Sequence, residues 1–220
     1  IAGMAVGCFA LILSIAVLNG FEKKVTAKIR GFEGDLRVSG ASLDFIDIEK
    51  QLDEEQSVLS YMPFMERKGL VIGDGNILRI ATLKAVDMNK TSSFYQLGLN
   101  EIELNPSDFP VIIGQLLASR LQLAVGDYVK LMSPIDHPSQ FGLPRKVQVK
   151  VVGIFQGNVL DYDDRLVFVP LSVGKLLFTR KKVLDGIDIR LTAETEINVI
   201  RERLLNRFPH MTIESWENIH

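Results

Sequence analysis

The hydrophobic pattern changes character along the chain. Residues 1–18, IAGMAVGCFALILSIAVL, hold no charged side chain. At ~1.5 Å per residue they make a helix of ~27 Å, close to the ~30 Å hydrocarbon core of a bilayer. The run starts with neither an initiator Met nor a basic flank, as a transmembrane helix entered partway would. A signal peptide would open on bases and end at a small-residue cleavage site. A buried core helix is the other reading, and it would ordinarily show a polar face. Phe21, Val25, Ile29 and Phe32 then recur at helical spacing. The helix is therefore expected to leave the bilayer as an amphipathic stalk, stopped by Gly31 and Gly34. Lys23, Lys24, Lys28 and Arg30 do not fix its orientation, because long domains cross largely regardless of local charge.

Beyond the stalk the pattern alternates between strand and helix periods. Asp35–Ser39 reads as a strand, and Phe45, Ile48, Leu52 and Leu59 as the stripe of a helix over 44–58. Tyr61–Glu66, Gly69–Ile72 and Ile77–Val86 read as strands, the last two joined by a turn at Asp74-Gly75-Asn76. Residues 89–110 are polar and irregular, with Pro106 and Pro110, and suggest a linker. Strands are expected at 111–113, 128–132, 146–155, 166–169, 186–191 and 211–213. Helices are expected over 114–123, 171–178 and 194–207. The last carries acids at its start and Arg201, Arg203 and Arg207 at its end, as the helix dipole favours. The order gives β-α-β-β near the start, β-α-β near the end and a β-rich stretch between. The fold class is α+β with an inserted β-rich subdomain.

Composition narrows the chemistry. The 220 residues carry 27 acids and 25 bases, a net charge of −2, with no basic footprint for nucleic acid. Cys8 is the one cysteine, so no internal disulfide can form, and with three histidines a Cys/His zinc cluster is not expected. Gly174-Lys175 is followed by Leu176, and the first glycine of a P-loop is missing at Val169. Gly73-x-Gly75 lacks the third glycine of a dinucleotide loop. No G-x-S-x-G elbow occurs. His137, His210 and His220 have no recognisable partner spacing. Asp161, Asp163 and Asp164 lack the glycine and glutamate of a calcium loop and read as a solvated turn. No enzyme chemistry and no cofactor are expected. The Pro-rich stretch Ser133–Pro144 sits between two strands. It is either a solvated connector or a protruding hairpin with Phe141, Leu143 and Pro144 at its tip.

Four stretches together resemble the LolC/LolE family of permeases, membrane subunits of the ABC system that releases lipoproteins from the bacterial inner membrane. They are VLNGFEKKVTAKIRGF (17–32), IIGQLLASRLQLAVGDYVKLMSP (112–134), VVGIFQGNVLDYDDRLVFVPL (151–171) and IDIRLTAETEINVIRERL (187–204). The resemblance covers nearly all of the chain, and residues 40–100 match least. It implies a transmembrane helix and stalk over 1–31. A ferredoxin-like subdomain over 32–98 and 182–220 and an inserted β-rich subdomain over 99–181 would follow, with residues from ~20 onward in the periplasm. It implies as partners a separate ABC ATPase, a second permease subunit, a LolA-like periplasmic carrier, lipoprotein cargo and the membrane. In LolC-type members a carrier-recruiting hook falls on Ser133–Lys146, with Phe141, Gly142, Leu143 and Pro144 as its contacts here; LolE-type members are not expected to recruit the carrier that way, and the resemblance fits either type. Phe9, Leu11, Leu13, Val17 and Phe21 are candidates to face lipid cargo. Related permeases of the MacB and FtsX type share the plan, and a mechanotransmission permease for efflux or signalling is the alternative.

Overall fold

The structure, a computed structural model, describes residues 2–40, 45–99, 104–105, 108–134, 144–178, 184–193 and 195–215. Helix α1 (Ala2–Glu33) runs unbroken from the apolar segment through the residues expected to form a stalk. Gly31 lies inside its last turn and Gly34 ends it. Gly34 has φ of 80°, the left-handed conformation that glycine adopts after a helix. A Cβ there would stand 2.9 Å from the Ile189 carbonyl oxygen. The side chains of Val25 and Ile29, which the stalk stripe invokes, lie outside the described set.

The remaining helices are α2 (Phe45–Glu54), α3 (Met88–Phe94), α4 (Gln115–Leu121), α5 (Leu160–Arg165), α6 (Leu171–Leu177) and α7 (Ile197–Arg207). The strands are β1 (Leu36–Ser39), β2 (Val58–Ile72), β3 (Leu78–Val86), β4 (Pro110–Gly114), β5 (Tyr128–Met132), β6 (Lys146–Phe155), β7 (Leu166–Pro170), β8 (Gly186–Leu191) and β9 (Thr212–Ser215). Four elements differ from the sequence reading. Asp161, Asp163 and Asp164, read as a solvated turn, lie on helix α5, and Asp163 is buried because it accepts the N–H groups of Gly157 and Asn158. Leu59, placed on a helical stripe, is an exposed residue at an irregularity of β2. The two strands expected over 61–72 are one strand. The polar stretch after residue 88 opens with α3, capped when the Asp87 carboxylate accepts the Asn89 N–H.

β2 organises the molecule because its two halves belong to different sheets. Val58–Phe64 pairs with β8, giving a four-stranded antiparallel sheet in the order β2-β8-β1-β9. Strand alternation sends Leu36, Val38, Ile187, Ile189, Leu191 and Ile213 to one face. There they pack with Ile48 and Leu52 of α2 and Ile200 and Leu204 of α7. Met65–Ile72 pairs with β3, and its last residues with β5. The pairings β3–β7, β7–β4, β4–β6 and β6–β5 then close a ring of six strands. The residues of β2 and β3 over 65–86, which the resemblance places in the ferredoxin-like subdomain, pair within this ring.

The ring is filled by alternate residues such as Leu83, Val111, Ile113, Val149, Val167 and Val169, and is capped by α4 and α6. The intervening residues Ile112, Phe155, Leu166 and Phe168 point outward into a second core with Met62, Phe64, Phe94 and Tyr95. This double burial explains why β4 and β7 read as continuous apolar runs. The Pro-rich stretch expected to form the hook follows β5, and the described residues resume at Pro144. Phe141, Gly142 and Leu143 lie outside the described residues.

Candidate functional site

The face of the four-stranded sheet opposite α2 and α7 carries Arg37, Asp188 and Arg190, because each sits one residue from an inward apolar side chain. Such a face usually meets solvent. Here the ring, α3 and the end of α1 cover it, and Asp188 is wholly buried while Lys84 is 2% exposed.

Asp188 is the centre of the resulting network. Its Oδ1 accepts from Arg37 Nε at 2.7 Å. Its Oδ2 accepts from Lys84 Nζ at 2.7 Å and the Tyr95 hydroxyl at 3.0 Å. Burial alone would raise the Asp188 pKa, but Lys84 and Arg37 outweigh it and hold the carboxyl below the usual aspartate value. Burial would likewise lower the Arg37 pKa, and Asp188 and Glu33 reverse that. Tyr95 is raised by burial and by Asp188, so it stays a neutral donor. The Lys84 ammonium also lies 4.8 Å from the Phe64 ring centre and 4.7 Å from that of Tyr95.

Three contacts fasten the end of α1 to this centre. Arg37 pairs with Glu33, whose other oxygen accepts the Tyr162 hydroxyl at 2.8 Å. Arg190 donates to the Gly31 carbonyl in the last turn of α1 and to the Phe94 carbonyl, where a cation also suits the helix dipole. Asp35 pairs with Arg30 and accepts the Leu191 N–H at 2.7 Å, while its own N–H donates to Ile189 O at 2.7 Å. Phe32 adds the apolar part, stacked on Tyr162 at 4.7 Å between ring centres and lying 5.4 Å from Phe155. A Cβ on Gly157 would come 2.5 Å from the Phe32 ring, so glycine is what permits this seat. The acidic helix α5 has a structural task here: Asp163 accepts the N–H groups of Gly157 at 2.6 Å and Asn158 at 2.9 Å. The joint therefore ties α1 to both sheets at once.

At its opposite end α1 makes a different surface. Phe9, Leu11, Leu13, Val17 and Phe21 are each more than half exposed. Among the described residues no helix is long and apolar enough to cross a membrane; the unbroken run of described side chains in α1 extends only over 7–21. Pro144 is half-buried beside β6. The joint and these sequence-selected residues are separate places. None of Asp188, Arg37, Lys84 or Arg190 was singled out by sequence. Their signal was alternation of charge with apolar residues in LRV and IDIRL, which looks the same for a solvated face.

A cavity of about 570 Å³ borders the joint, lined by residues including Leu52, Leu59, Tyr61, Lys90, Phe94 and Arg190. Its Tyr61 hydroxyl donates to Asp53 at 3.1 Å. Burial and then Asp53 push that phenol up to about 12, the opposite of an activated nucleophile. Among the described residues no group of three His, Cys, Asp or Glu side chains could hold a metal ion.

Residues 1–207 match the family described as the MacB-like periplasmic core domain. The lipoprotein-releasing system transmembrane protein LolC of Neisseria meningitidis is 24% identical over 87% of this chain and 48% of its own length. LolE of the same kind of system, from Haemophilus influenzae, is 24% identical over 97% of this chain and 54% of its own length. The chain thus spans about half the length of these curated relatives. Among solved structures, the periplasmic region of MacB from Actinobacillus actinomycetemcomitans superposes with a TM-score of 0.57 at 14% identity, covering 87% of this chain and 93% of that one. The extracellular domain of the noncanonic ABC-type transporter YknZ gives 0.53 at 12% identity, covering 83% and 100%. These two likenesses concern the fold. With a match that takes in both the long helix and the two sheets joined at its end, the chain belongs to the MacB-like periplasmic core domain family.

Proposed function

We propose that the chain is the first membrane span and periplasmic domain of an ABC transporter permease that helps release lipoproteins from the bacterial inner membrane. The observation that carries this reading is α1 itself: one continuous helix, apolar and exposed at one end and fixed in a buried charged joint at the other. An exposed run of large apolar side chains needs lipid or protein around it. A helix without a break moves as a unit, so displacement of the membrane end reaches both sheets through the joint.

The domain divides within β2. The four-stranded sheet with α2 and α7 has the strand order of a ferredoxin-like unit, β9-β1-β8-β2, and the six-strand ring is inserted between β2 and β8. Cytoplasmic ATP hydrolysis on a separate subunit supplies the work, and a second permease subunit completes the pair. The need is physical: each acyl CH₂ taken out of lipid costs about 0.8 kcal/mol. Cargo leaves past Phe9, Leu13, Val17 and Phe21 and passes to a periplasmic carrier recruited by Phe141, Gly142, Leu143 and Pro144. The names of the LolC and LolE relatives support the lipoprotein reading. The match of residues 1–207 to the MacB-like periplasmic core domain family leaves a second reading, a mechanotransmission permease for efflux or signalling.

Photo-crosslinking from Leu143 in the membrane-embedded full-length protein separates them. Recovery of a periplasmic lipoprotein carrier is the expected result. Crosslinks only to a partner permease, or none, would overturn carrier recruitment by this loop and favour a LolE-type subunit or the second reading.

A further inference from the structure

The cavity of about 570 Å³ beside the joint is walled in part by a buried cation that has no acid. Arg190 is 8% exposed, yet among the described residues it forms no ion pair. Its Nε and Nη2 donate to carbonyl oxygens, those of Phe94 and Gly31, and its Nη1 makes no hydrogen bond. Among the described residues, Gln51 Oε1 and Arg67 Nε are the sealed side-chain polar atoms that lack a partner. Nη1 is therefore reached from outside, by way of the cavity that Arg190 lines. The acids of the joint are committed elsewhere: Asp35 to Arg30, Asp188 to Arg37 and Lys84, and Glu33 to Arg37. Glu66 stands opposite Lys84 in the register of β2 and β3. Burial accordingly lowers the Arg190 pKa, and Asp35 and Asp188 do not restore it. A cation taken out of water is ordinarily matched by an anion.

We propose that this cavity binds a small amphipathic monocarboxylate, its carboxylate between Arg190 and Lys90 and its apolar chain against Leu52, Leu59 and Phe94. The walls supply both halves. Lys90 is exposed on α3 and forms no ion pair among the described residues. Asp53 is the third charged residue of the lining, and it accepts the Tyr61 hydroxyl at 3.1 Å. Two positive side chains and one negative leave a single charge to be met. That suits a carboxylate better than a phosphate monoester, which carries close to two. Leu59, 68% exposed, offers the chain an apolar surface at the mouth. The volume lies within the ~300–1,000 Å³ of ordinary small-molecule sites. An added peptide strand fits less well. Pro63 offers no N–H, and β2 is irregular between Val58 and Ser60, so its outer edge is broken.

The site reaches the stalk helix through Arg190, whose Nη2 holds the Gly31 carbonyl. A bound carboxylate neutralises that guanidinium where it stands, so occupancy of the cavity and the grip on α1 support each other. None of this depends on the cargo.

The test is a titration of the whole chain, in lipid nanodiscs, with octanoate. It is read on the methyl resonances of Leu52 and Leu59 and on the Arg190 guanidinium, with empty nanodiscs correcting for partition into lipid. Octanol and inorganic phosphate are run beside it. A Kd on the order of 1 mM is expected for a ligand of this size, with the Arg190 signal moving together with the methyl groups. Binding should weaken by up to about fivefold in Lys90→Gln and by at least about tenfold in Arg190→Met. Octanol that shifts the same signals as strongly overturns the proposal, because the charge then contributes nothing. Phosphate that binds as tightly overturns the amphipathic ligand. Octanoate at ~10 mM that leaves Leu59 and Arg190 unmoved overturns the site itself. The three probes are compared on the unaltered chain, so they decide the matter even if Arg190→Met does not fold.

Discussion

The two ends of α1 belong to one helix yet obey opposite rules. Between Phe9 and Phe21 large apolar side chains stand exposed, and no charged residue lies within that stretch. In its last turn Glu33 is buried with an arginine and a tyrosine, and the Gly31 carbonyl is held by Arg190. The difference teaches where specificity resides. The apolar end asks only for an apolar surrounding, whereas the charged end is satisfied by one arrangement of partners.

The contrast breaks most sharply at Asp188. In Asp188→Ala the buried Lys84 loses its acid and the part-buried Arg37 keeps only Glu33, and chemical denaturation should show a loss of about 3–5 kcal/mol. Acid should imitate this in the unaltered chain. Because the folded Asp188 value lies below 3.8, its contribution is complete above that pH and is lost as pH falls through the folded value. Acid unfolding followed by circular dichroism, with a midpoint raised in a variant weakened at Lys84, checks the sign.

Phe32→Ala should rank next, at up to about 3–5 kcal/mol, since it empties the space between Tyr162, Phe155 and Gly157. Thermal melts of the purified chain measure it. Arg190→Met keeps the length of the side chain and removes its bonds to Gly31 and Phe94. The expected loss is about 1.5–3 kcal/mol, with faster amide exchange confined to the end of α1 and to α3.

At the other end of the helix, Leu13→Ala should change the unfolding of the domain by less than about 0.5 kcal/mol. A loss at Leu13 as large as that at Phe32 would erase the distinction between the two ends.

Much of the local structure was legible. Phase and period in KVQVKVVGIF and DGIDIRL located β6 and β8, and the glycine after Glu33 ended α1 as expected. Helix α3 was missed because its seven residues are too short and polar for periodicity to register; Met88, Thr91 and Phe94 are buried only through packing on the outside of the ring. Leu59 fitted a helical stripe by spacing, but Val58 onward pairs with β8, and pairing outweighs a four-residue coincidence. The candidate site was the least legible part. Asp188, Arg37 and Lys84 lie 151 and 104 residues apart along the chain as contacts.

What the sequence determined by itself is local: an apolar stretch continued as one helix to Glu33, and strands alternating with helices. Those features depend on neighbours within a turn or two, and adjacent residues encode them. The tertiary structure decided that β2 serves two sheets, that six strands close into a ring, and that the charged face of the small sheet is covered. A charged residue on a strand has the same sequence signature whether water or another element lies above it. Only the arrangement of distant segments supplies the partners that let Asp188 remain ionised in the interior.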